Sequence, residues 1–418
     1  MFDKYVKLFI HYYIILYIEM FFKLFLKRCD ILRTVGIIAE FNPLHNGHRF
    51  LLQEAKKRGT AVCVISGNFV QRGDTALIEK RKRAACALEN GADLVLELPV
   101  CWSMSTSQNF ALGGVSVLSA AGCDGILFGS ENGDISALEK TADILNTEQF
   151  SKELLKALDS GITFAAARET AAFKCGADSG LLSAPNNNLG LEYISAAKRL
   201  GIDIEFDTVE RKGTAHDSEE TDGNYASASF IRSNINDKRL ISHYLPEQTV
   251  KYLDDAGVSD IKRAERAILA LLRLKTAEDF ADLPDLSEGI ENKLLFAARN
   301  ACSLDELYNI IKSKRYTLAR IRRLVLSAAI GIDNSFFMKR PPYARVLGFN
   351  KTGEKLIRER SGNSDIPLVL RAGDISALGG GAKKVFDTEC RATDLYGLTL
   401  KKPLKCGLEY TSKLIKTE

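Results

Sequence analysis

The chain has 418 residues, of which 46% are apolar and 26% are charged, and its formal net charge is +4 at pH 7. This composition excludes a disordered or fibrous protein, and the length suffices for two domains and a large core. Overall charge gives no argument for nucleic-acid binding, which has to follow from local clusters. The nine cysteines form no C-x-x-C pair. That pattern is typical of a reducing compartment, and we expect a cytoplasmic protein.

Residues 1–33 differ in composition from the rest of the chain. The uncharged run at 8–18 is too short to span a membrane, which takes about 20 residues. It has the length of a signal-peptide core, but no small-residue cleavage site follows it. We interpret 1–33 as an N-terminal extension outside the fold, translated from a misplaced gene start, and expect no stable membrane partner. The alternative is an amphipathic helix at a membrane surface.

From residue 34 onward, short apolar runs alternate with segments that are apolar at helical spacing and end at glycines. Nearly continuous apolar runs are typical of strands buried on both faces. Four such runs are predicted as strands: TVGIIAEF (34–41), TAVCVISG (60–67), ADLVLELP (92–99) and DGILFGS (124–130). Their alternation with helices predicts an α/β fold with a parallel, Rossmann-like sheet and right-handed crossovers.

The second half of the chain changes in pattern. A further strand is predicted at 202–211, and the polar stretch 213–226 is predicted as a loop. After about residue 236, successive helices follow one another without strands, which predicts a domain boundary. Two short extended pieces are expected in the tail, at 341–349 and 365–371. The glycine-rich stretch 378–384 is predicted as a loop, because it does not follow a strand of an α/β unit.

The sequence FNPLHNGH (41–48) lies between the first predicted strand and its helix. Ligands of open parallel sheets bind beyond the carboxyl ends of strands. A helix N-terminus there supplies free amide donors and partial positive charge suited to phosphate. His45 and His48 can donate hydrogen bonds to phosphate oxygens, and Gly47 lets the backbone approach closely. The alternative is that these histidines serve only the fold.

A second motif, SASFIRSNI (227–235), follows the last predicted strand. Ser227 and Ser229 can cap a helix whose Ile231 is buried and whose Arg232 reaches the phosphates. Alone, this pattern is typical of an ordinary helix cap. Paired with the histidine motif in the same domain, it indicates a triphosphate site, and no Walker A sequence occurs in the chain.

The H-x-G-H pattern resembles the signature of the nucleotidyltransferase superfamily, shared with class I aminoacyl-tRNA synthetases. Its members attack the α-phosphate of a nucleotide and expel pyrophosphate. Eight motifs in order are similar to the bacterial tRNA(Met) cytidine acetate ligase family: AEFNPLHNGH, SGNFVQRGD, GADLVLELP, FGSENGD, PNNNLGLEY, SASFIR, RYTLARIRR and PPYARVLGF. The resemblance runs from residue 35 to about residue 400. It implies that ATP and acetate form acetyl-adenylate, which acetylates N4 of the wobble cytidine in elongator tRNA(Met).

This resemblance also implies domains and site residues. A Rossmann-like nucleotidyltransferase domain would occupy 34–235, and a mainly helical tRNA-binding domain would occupy 236–418. The implied catalytic residues are His45, His48 and Arg232. The implied ATP-binding residues are Ile38, Ala39, Glu40, Phe41, Asn42, Pro43, Leu44, Asn46, Gly47, Arg49, Phe50, Leu51, Gly129, Asn186, Asn187, Arg211 and Ser229. Mg²⁺ can accompany ATP, but no protein ligand is assigned to it or to any other metal.

Several of these assignments have physical reasons. Gly129 ends a strand, where a missing side chain would let adenosine lie against the sheet. An amide of Asn186 or Asn187 would read adenine or ribose, although asparagine also stabilises turns. Arg211 would clamp phosphate, with a surface ion pair as the alternative.

Acetate has a pKa of roughly 4 to 5 and is anionic at pH 7, so its attack on phosphate needs no general base. The first step instead needs charge neutralisation, for which the two histidines and Arg232 are suited. The sequence does not identify the group that accepts the proton of the cytosine amine, nor the acetate pocket, nor the oligomeric state.

The segment KSKRYTLARIRR (312–323) is the predicted RNA-binding surface, lying apart from the ATP site in the second domain. Its cations would contact phosphates and its tyrosine would stack on a base. The implied tRNA-binding residues are Lys312, Lys314, Arg315, Tyr316, Arg320, Arg322 and Arg323. A solvated helix face is the alternative, and the basic run at 79–83 is a second candidate.

Two other functions stay open at this point. H-x-G-H alone is equally consistent with a small-molecule adenylyltransferase, although the basic helical region argues against it. A non-catalytic RNA-binding protein is the third reading, and the intact His45, His48 and Arg232 argue against that.

Overall fold

The computed structural model describes residues 33–211, 221–286, 289–313, 316–360, 362 and 364–418. The predicted extension therefore lies outside the described residues, except for Arg33, which opens the first strand. Residues 34–418 form one compact unit. Within the described ranges, no helix combines the length and the apolar character needed to cross a membrane.

An eight-stranded sheet is the centre of this unit. Its strands are β1 (Arg33–Ala39), β2 (Gly59–Ser66), β5 (Leu94–Leu98), β6 (Gly125–Ser130), β7 (Glu205–Glu210), β10 (Ala344–Phe349), β11 (Leu368–Val369) and β12 (Ile415–Lys416). Two hairpins stand apart: β3 (Phe69–Val70) with β4 (Asp74–Thr75), and β8 (Thr221–Asp222) with β9 (Tyr225–Ala226). The strand order is β11-β10-β5-β2-β1-β6-β7, and β12 pairs with β10.

Helices cover both faces of the sheet and continue beyond it. Those of the first half are α1 (Asn46–Arg58), α2 (Lys80–Glu89), α3 (Val100–Ser103), α4 (Ser107–Ala120), α5 (Ile135–Leu145), α6 (Glu148–Asp159), α7 (Phe164–Lys174), α8 (Gly180–Ser183) and α9 (Pro185–Leu200). Those that follow are α10 (Ala228–Ser233), α11 (Lys238–Ser242), α12 (Glu247–Ala256), α13 (Glu265–Arg273), α14 (Ala277–Ala281), α15 (Ile290–Asn300), α16 (Leu304–Ile311), α17 (Leu318–Ile330), α18 (Lys351–Arg360), α19 (Ala372–Ile375), α20 (Gly380–Gly397) and α21 (Leu408–Thr411).

The predicted α/β fold is confirmed. Parallel pairing joins β2 to β5, β1 to β6 and β6 to β7. The four strands that were predicted from apolar runs are present, because a strand covered on both faces leaves a continuous apolar signature. The further strand predicted at 202–211 is present as β7.

The tail of the chain returns to the same sheet. Strand β10 pairs antiparallel with β5, with Arg345 opposite Glu97 and Phe349 opposite Leu94. The boundary predicted at residue 235 therefore marks a change in secondary structure, and the sheet itself draws on both sides of it. The loop predicted at 378–384 is wrong over most of its length, because α20 begins at Gly380.

Side chains of β1 alternate between two cores, as the strand period requires. Val35 and Ile37 pack in the core that contains Leu52 of α1. Ile38 points to the opposite core, where it meets side chains of α4 and α9. The end of β1 is thus flanked by α1 on one face and by α4 and α9 on the other.

Candidate active site

The loop after β1 is the best-defined part of the site. It leaves the strand through Phe41, which has a positive φ of 47° and a fully buried ring. The Asn42–Pro43 peptide bond is cis. A bulky residue in the left-handed region is uncommon and often marks a functional site. The loop ends at His45, the N-cap of α1.

The two histidines form the capping interactions of α1 themselves. His45 Nδ1 accepts a hydrogen bond from the Gly47 N–H at 3.1 Å, and His48 Nδ1 accepts one from the His45 N–H at 3.3 Å. Their rings stack with centroids 3.8 Å apart. Because each Nδ1 is an acceptor, each neutral ring carries its proton on Nε2 and is a donor there. Any N–H that these rings offer to an anion is therefore on Nε2.

Gly47 is required by this arrangement. A Cβ atom at this position would lie 3.0 Å from His45 Cε1 and 3.1 Å from His45 Nδ1. A larger residue would require the His45 ring to shift by a few tenths of an ångström. The glycine of the motif therefore serves the histidine cap as well as backbone access.

His48 stays neutral at pH 7. Burial is the main cause that lowers the pKa of His48 to about 3, and the nearby Arg211 guanidinium lowers it further. A hydrogen bond to the backbone of Pro43 acts in the opposite direction and raises the pKa. Its ring also meets Phe41 edge-on, with centroids 5.1 Å apart. A neutral His48 fits the role of a hydrogen-bond donor to phosphate, and not that of a proton shuttle.

The second motif lies against the first. Ser227 Oγ caps α10 by accepting from the Phe230 N–H, and Ile231 is fully buried, as predicted. Arg232 Nη1 donates to the Asn42 carbonyl at 2.9 Å, and Arg232 Nη2 donates to Ser229 Oγ at 3.0 Å. The guanidinium thereby ties α10 to the histidine loop across 190 residues of sequence.

A cavity of about 530 Å³ opens where these elements meet. This volume suits a nucleotide-sized ligand. Fourteen of the residues predicted for catalysis or ATP binding line it: Ile38, Ala39, Glu40, Phe41, Asn42, His45, Gly47, His48, Phe50, Leu51, Gly129, Asn186, Arg211 and Arg232.

Six predicted residues lie elsewhere: Pro43, Leu44, Asn46, Arg49, Asn187 and Ser229. Leu44 packs in the core, and Asn46 Nδ2 donates to the Asn224 and His243 carbonyls. Asn187 is buried, and its Oδ1 accepts from the Glu131 N–H at 2.9 Å. These side chains hold the loops in place, which a motif alone does not distinguish from ligand contact.

The far side of the cavity is organised by Glu131. Its carboxylate accepts from the N–H groups of Asn186 and Asn187 at 3.0 and 2.8 Å, and so caps α9. Asn186 Nδ2 also donates to it, while Asn186 Oδ1 accepts from Arg211 Nη1 at 2.7 Å. A Cβ at position 129 would lie 3.2 Å from Arg211 Cγ, so Gly129 lets this arginine lie over β6.

Sequence reasoning missed several lining residues. The hairpin β3–β4 contributes Gln71, Arg72 and Asp74, and the opposite wall contributes Phe110 and Tyr193. The hairpin lies in the motif SGNFVQRGD, which indicated the family without assigning a role to any residue. In the sequence, the two aromatic residues have the pattern of ordinary core residues, and nothing distinguishes them from residues that only pack in the core.

The predicted RNA-binding arginines are not a separate surface. Arg322 lines the cavity itself, and its Nη1 lies 4.0 Å from Asp74 Oδ2. Arg323 donates to the Gln71 carbonyl at 3.3 Å and pairs with Asp285 at 3.2 Å. Arg320 donates to the Asp285 carbonyl at 2.6 Å. The expectation that these residues lie apart from the ATP site is therefore wrong for Arg322.

The other members of the predicted RNA surface differ in their settings. Lys312 is exposed, and Arg320 lies 5.4 Å over the half-buried Tyr316 ring. Lys314 and Arg315 lie outside the described residues. In the second basic run, Lys80 and Arg83 are almost completely buried, so neither of these two cations is available to RNA, whereas Arg81 and Lys82 are half-buried.

No group of three or more metal-ligating side chains occurs in the part of the chain that the structure describes. The cationic side chains at the cavity are Arg72, Arg211, Arg232 and Arg322. With the two Nε2–H groups and the N-terminus of α1, they form a donor set suited to the oxygens of a triphosphate.

Comparison with known proteins agrees with this geometry. The profile of the HIGH Nucleotidyl Transferase family matches residues 32–409. A tRNA(Met) cytidine acetate ligase from Thermoanaerobacter sp. (strain X514) is 38% identical over 400 residues, covering 91% of this chain and 99% of that protein. Thermotoga maritima TmcAL (apo, form I) matches with a TM-score of 0.86 at 30% identity, covering 92% of this chain and 99% of that chain. The same protein bound with alpha-thio ATP (form II) matches with a TM-score of 0.83 at 29% identity and the same coverage. The chain therefore belongs to the HIGH nucleotidyl transferases and, among them, to the tRNA(Met) cytidine acetate ligase family.

Proposed function

We propose that this protein activates acetate with ATP and transfers the acetyl group to N4 of the wobble cytidine of elongator tRNA(Met). In the first step an acetate oxygen attacks the α-phosphate, and pyrophosphate leaves. In the second step the cytosine amine attacks the acetyl carbon, and AMP leaves. Family membership supports the reaction class, and the site supports the roles proposed below.

One observation supports the proposed formation of acetyl-adenylate. His45 and His48 each have Nδ1 engaged in the cap of α1, which leaves Nε2–H as the donor of both rings. These donors belong to the loop that Arg232 contacts from the other side. We assign this set to the phosphates, where it neutralises the charge that builds up as two anions approach. Preorganised donors of this kind contribute much of the rate in such sites.

The nucleoside half of ATP is assigned to the opposite end of the cavity. Gly129 leaves room above β6, and Arg211 lies there with its guanidinium held by Asn186. In this arrangement Arg211 contacts the nucleotide directly, while Asn186 and Glu131 position it. Asn187 is a positioning residue for the same loop.

The tRNA is assigned to the side of the cavity that α17 borders. Arg322 would then face both ligands, because it lines the cavity and follows the exposed Lys312 segment. Phosphate contacts by such cations make binding dependent on salt.

The test of the first step is isotope exchange between ATP and pyrophosphate, with and without acetate and in the absence of tRNA. Exchange that requires acetate supports the proposal. Exchange that proceeds without acetate, or only with phosphorylated small molecules, would overturn it.

A further inference from the structure

The cavity has a second half that the phosphate site does not use. It lies on the face of β1 opposite to α1, where Ile38 points toward α4 and α9. Its walls are aromatic: Phe110 comes from α4, Phe128 from β6 and Tyr193 from α9. The rings of Phe128 and Tyr193 meet edge-on, with centroids 5.9 Å apart. Aromatic walls of this kind are suited to a flat ring such as a nucleobase.

Tyr193 carries a hydroxyl that the fold does not use. The side chain is only 2% exposed, and its oxygen has no hydrogen-bond partner among the described residues. Burying a hydroxyl without a partner costs stability, so such groups in native proteins call for a reason. A ligand that accepts a hydrogen bond in this half of the cavity would supply one.

Glu40 supplies a carboxylate to the same cavity. Its Oε1 accepts from the Gln71 N–H at 2.8 Å, and it follows β1 directly. Burial raises the pKa of Glu40, while the Gln71 hydrogen bond and the charges of Arg232, Arg83 and Arg72 lower it. Burial, and next the charge of Glu40, raise the pKa of Tyr193, and both side chains line the same cavity.

A carboxylate acceptor and a hydroxyl donor together match the hydrogen-bonding groups on the Watson–Crick edge of cytosine. Cytosine presents an amine donor at N4 and, beside it, an acceptor at N3. A carboxylate accepts from the amine, as Glu does from cytosine elsewhere, and a hydroxyl can donate to N3. Uracil reverses both groups, because it has an acceptor at O4 and a donor at N3. A carboxylate at this position would therefore repel uracil.

We infer that Glu40 and Tyr193 read the Watson–Crick edge of the target cytosine, and that Glu40 accepts the N4 proton during acetyl transfer. This inference rests on the proposed function. As the bond from N4 to the acetyl carbon forms, the bond from that carbon to the AMP oxygen breaks. AMP leaves with the electron pair, and the N4 proton moves to the Glu40 carboxylate. The two histidines are unsuited to this role, because Nδ1 of each is already occupied.

The experiment separates the two half-reactions in the full-length protein. Acetate-dependent pyrophosphate exchange without tRNA reports the first step. Single-turnover transfer from preformed enzyme-bound acetyl-adenylate to a tRNA(Met) transcript reports the second. Because Glu40 also lies among the residues implied for ATP binding, we expect Glu40→Gln to slow transfer by about 10²–10⁴-fold more than it slows exchange, the usual contribution of a general base.

A specificity readout distinguishes this role from a structural one. The glutamine amide can donate to uracil O4, so Glu40→Gln should bind a transcript with uridine at the wobble position almost as well as one with cytidine. The wild type should prefer cytidine. Tyr193→Phe should slow transfer by about 3–10-fold, the value of one hydrogen bond, and leave exchange unchanged.

Tyr343→Phe is the matched control. Tyr343 is 1% exposed, its hydroxyl has no partner among the described residues, and it does not line the cavity. It should leave both half-reactions unchanged. Equal loss of exchange and transfer in Glu40→Gln would overturn the inference, as would wild-type transfer or unchanged base preference. A wild type that shows no acetate-dependent exchange would instead refute the proposed function.

Discussion

At the scale of single residues, the site depends on which nitrogen of each histidine carries the proton. His45 and His48 cap α1 through Nδ1, so the helix terminus fixes the tautomer that phosphate recognition needs. Folding and function thus use opposite sides of the same rings. The two uses can be separated by amide side chains of different length.

His48→Asn keeps an acceptor near the Nδ1 position and removes the Nε2 donor, whereas His48→Gln does the reverse. We expect His48→Asn to slow acetate-dependent exchange by about 10²–10³-fold, the usual loss for one such donor, with little loss of stability. His48→Gln should keep more activity and lose about 1 kcal/mol of unfolding free energy with the cap. Exchange rates and urea unfolding of both variants check this. The reverse order of activities would contradict it.

The lowered pKa of His48 also predicts a pH dependence of stability. The folded state binds no proton at His48 until the pH approaches about 3, whereas the unfolded chain binds one below about pH 6.5. Stability should therefore fall as the pH drops from 6.5 toward 3, by roughly 1–2 kcal/mol at pH 5 for this group. His48→Asn should flatten that part of the profile. Identical pH profiles for the variant and the wild type would show that His48 titrates normally.

At the scale of secondary-structure elements, the sequence pattern predicted the strands that leave a local apolar signature. Strands β1, β2, β5 and β6 are mostly buried, and their apolar runs made them predictable. The periodicity of apolar residues does not predict which carboxylate or carbonyl an arginine side chain contacts in the folded protein. Asp285 precedes Arg320 by 35 residues, and their hydrogen bond could not be predicted from the sequence pattern. The same limit hid the pairing of β10 with β5, which joins segments about 250 residues apart in sequence.

Because α17 contacts the hairpin β3–β4 at the cavity, we expect a substitution on α17 to affect adenylate formation. Arg322 lines the cavity, so Arg322→Ala should slow acetate-dependent exchange without tRNA, by roughly 10-fold for a charged contact to substrate. Arg266→Ala on α13, which is exposed, should leave exchange unchanged. Exchange at the wild-type rate in Arg322→Ala, with impaired tRNA binding alone, would restore the separate RNA surface.

At the scale of the whole molecule, a buried ionic cluster joins the sheet to the end of the chain. Lys80 is completely buried, and its Nζ contacts carboxylates of Glu97 on β5, Glu389 on α20 and Glu409 on α21. Arg345 of β10 also pairs with Glu409. Lys80 and Arg345 hold the pKa of Glu409 well below its usual range. A domain boundary drawn from secondary structure alone could not reveal this connection.

Removing the central cation of the cluster should therefore destabilise the whole unit. Lys80→Met leaves three buried carboxylates without their shared partner, and we expect a loss of about 3–5 kcal/mol in unfolding free energy. Lys82→Met is the matched control, since Lys82 is a half-exposed lysine of the same helix. Urea unfolding of both variants at pH 7 measures the difference. Equal stabilities would show that the cluster contributes nothing beyond packing.

The central claim is that one cavity activates acetate and delivers it to cytidine in tRNA(Met). The most direct test incubates the protein with ATP, labelled acetate and a tRNA(Met) transcript, then digests the RNA to nucleosides. We expect label in N4-acetylcytidine, dependent on ATP and absent when the wobble cytidine is replaced by uridine. Label that persists in the uridine transcript, or that never leaves acetyl-adenylate, would contradict it.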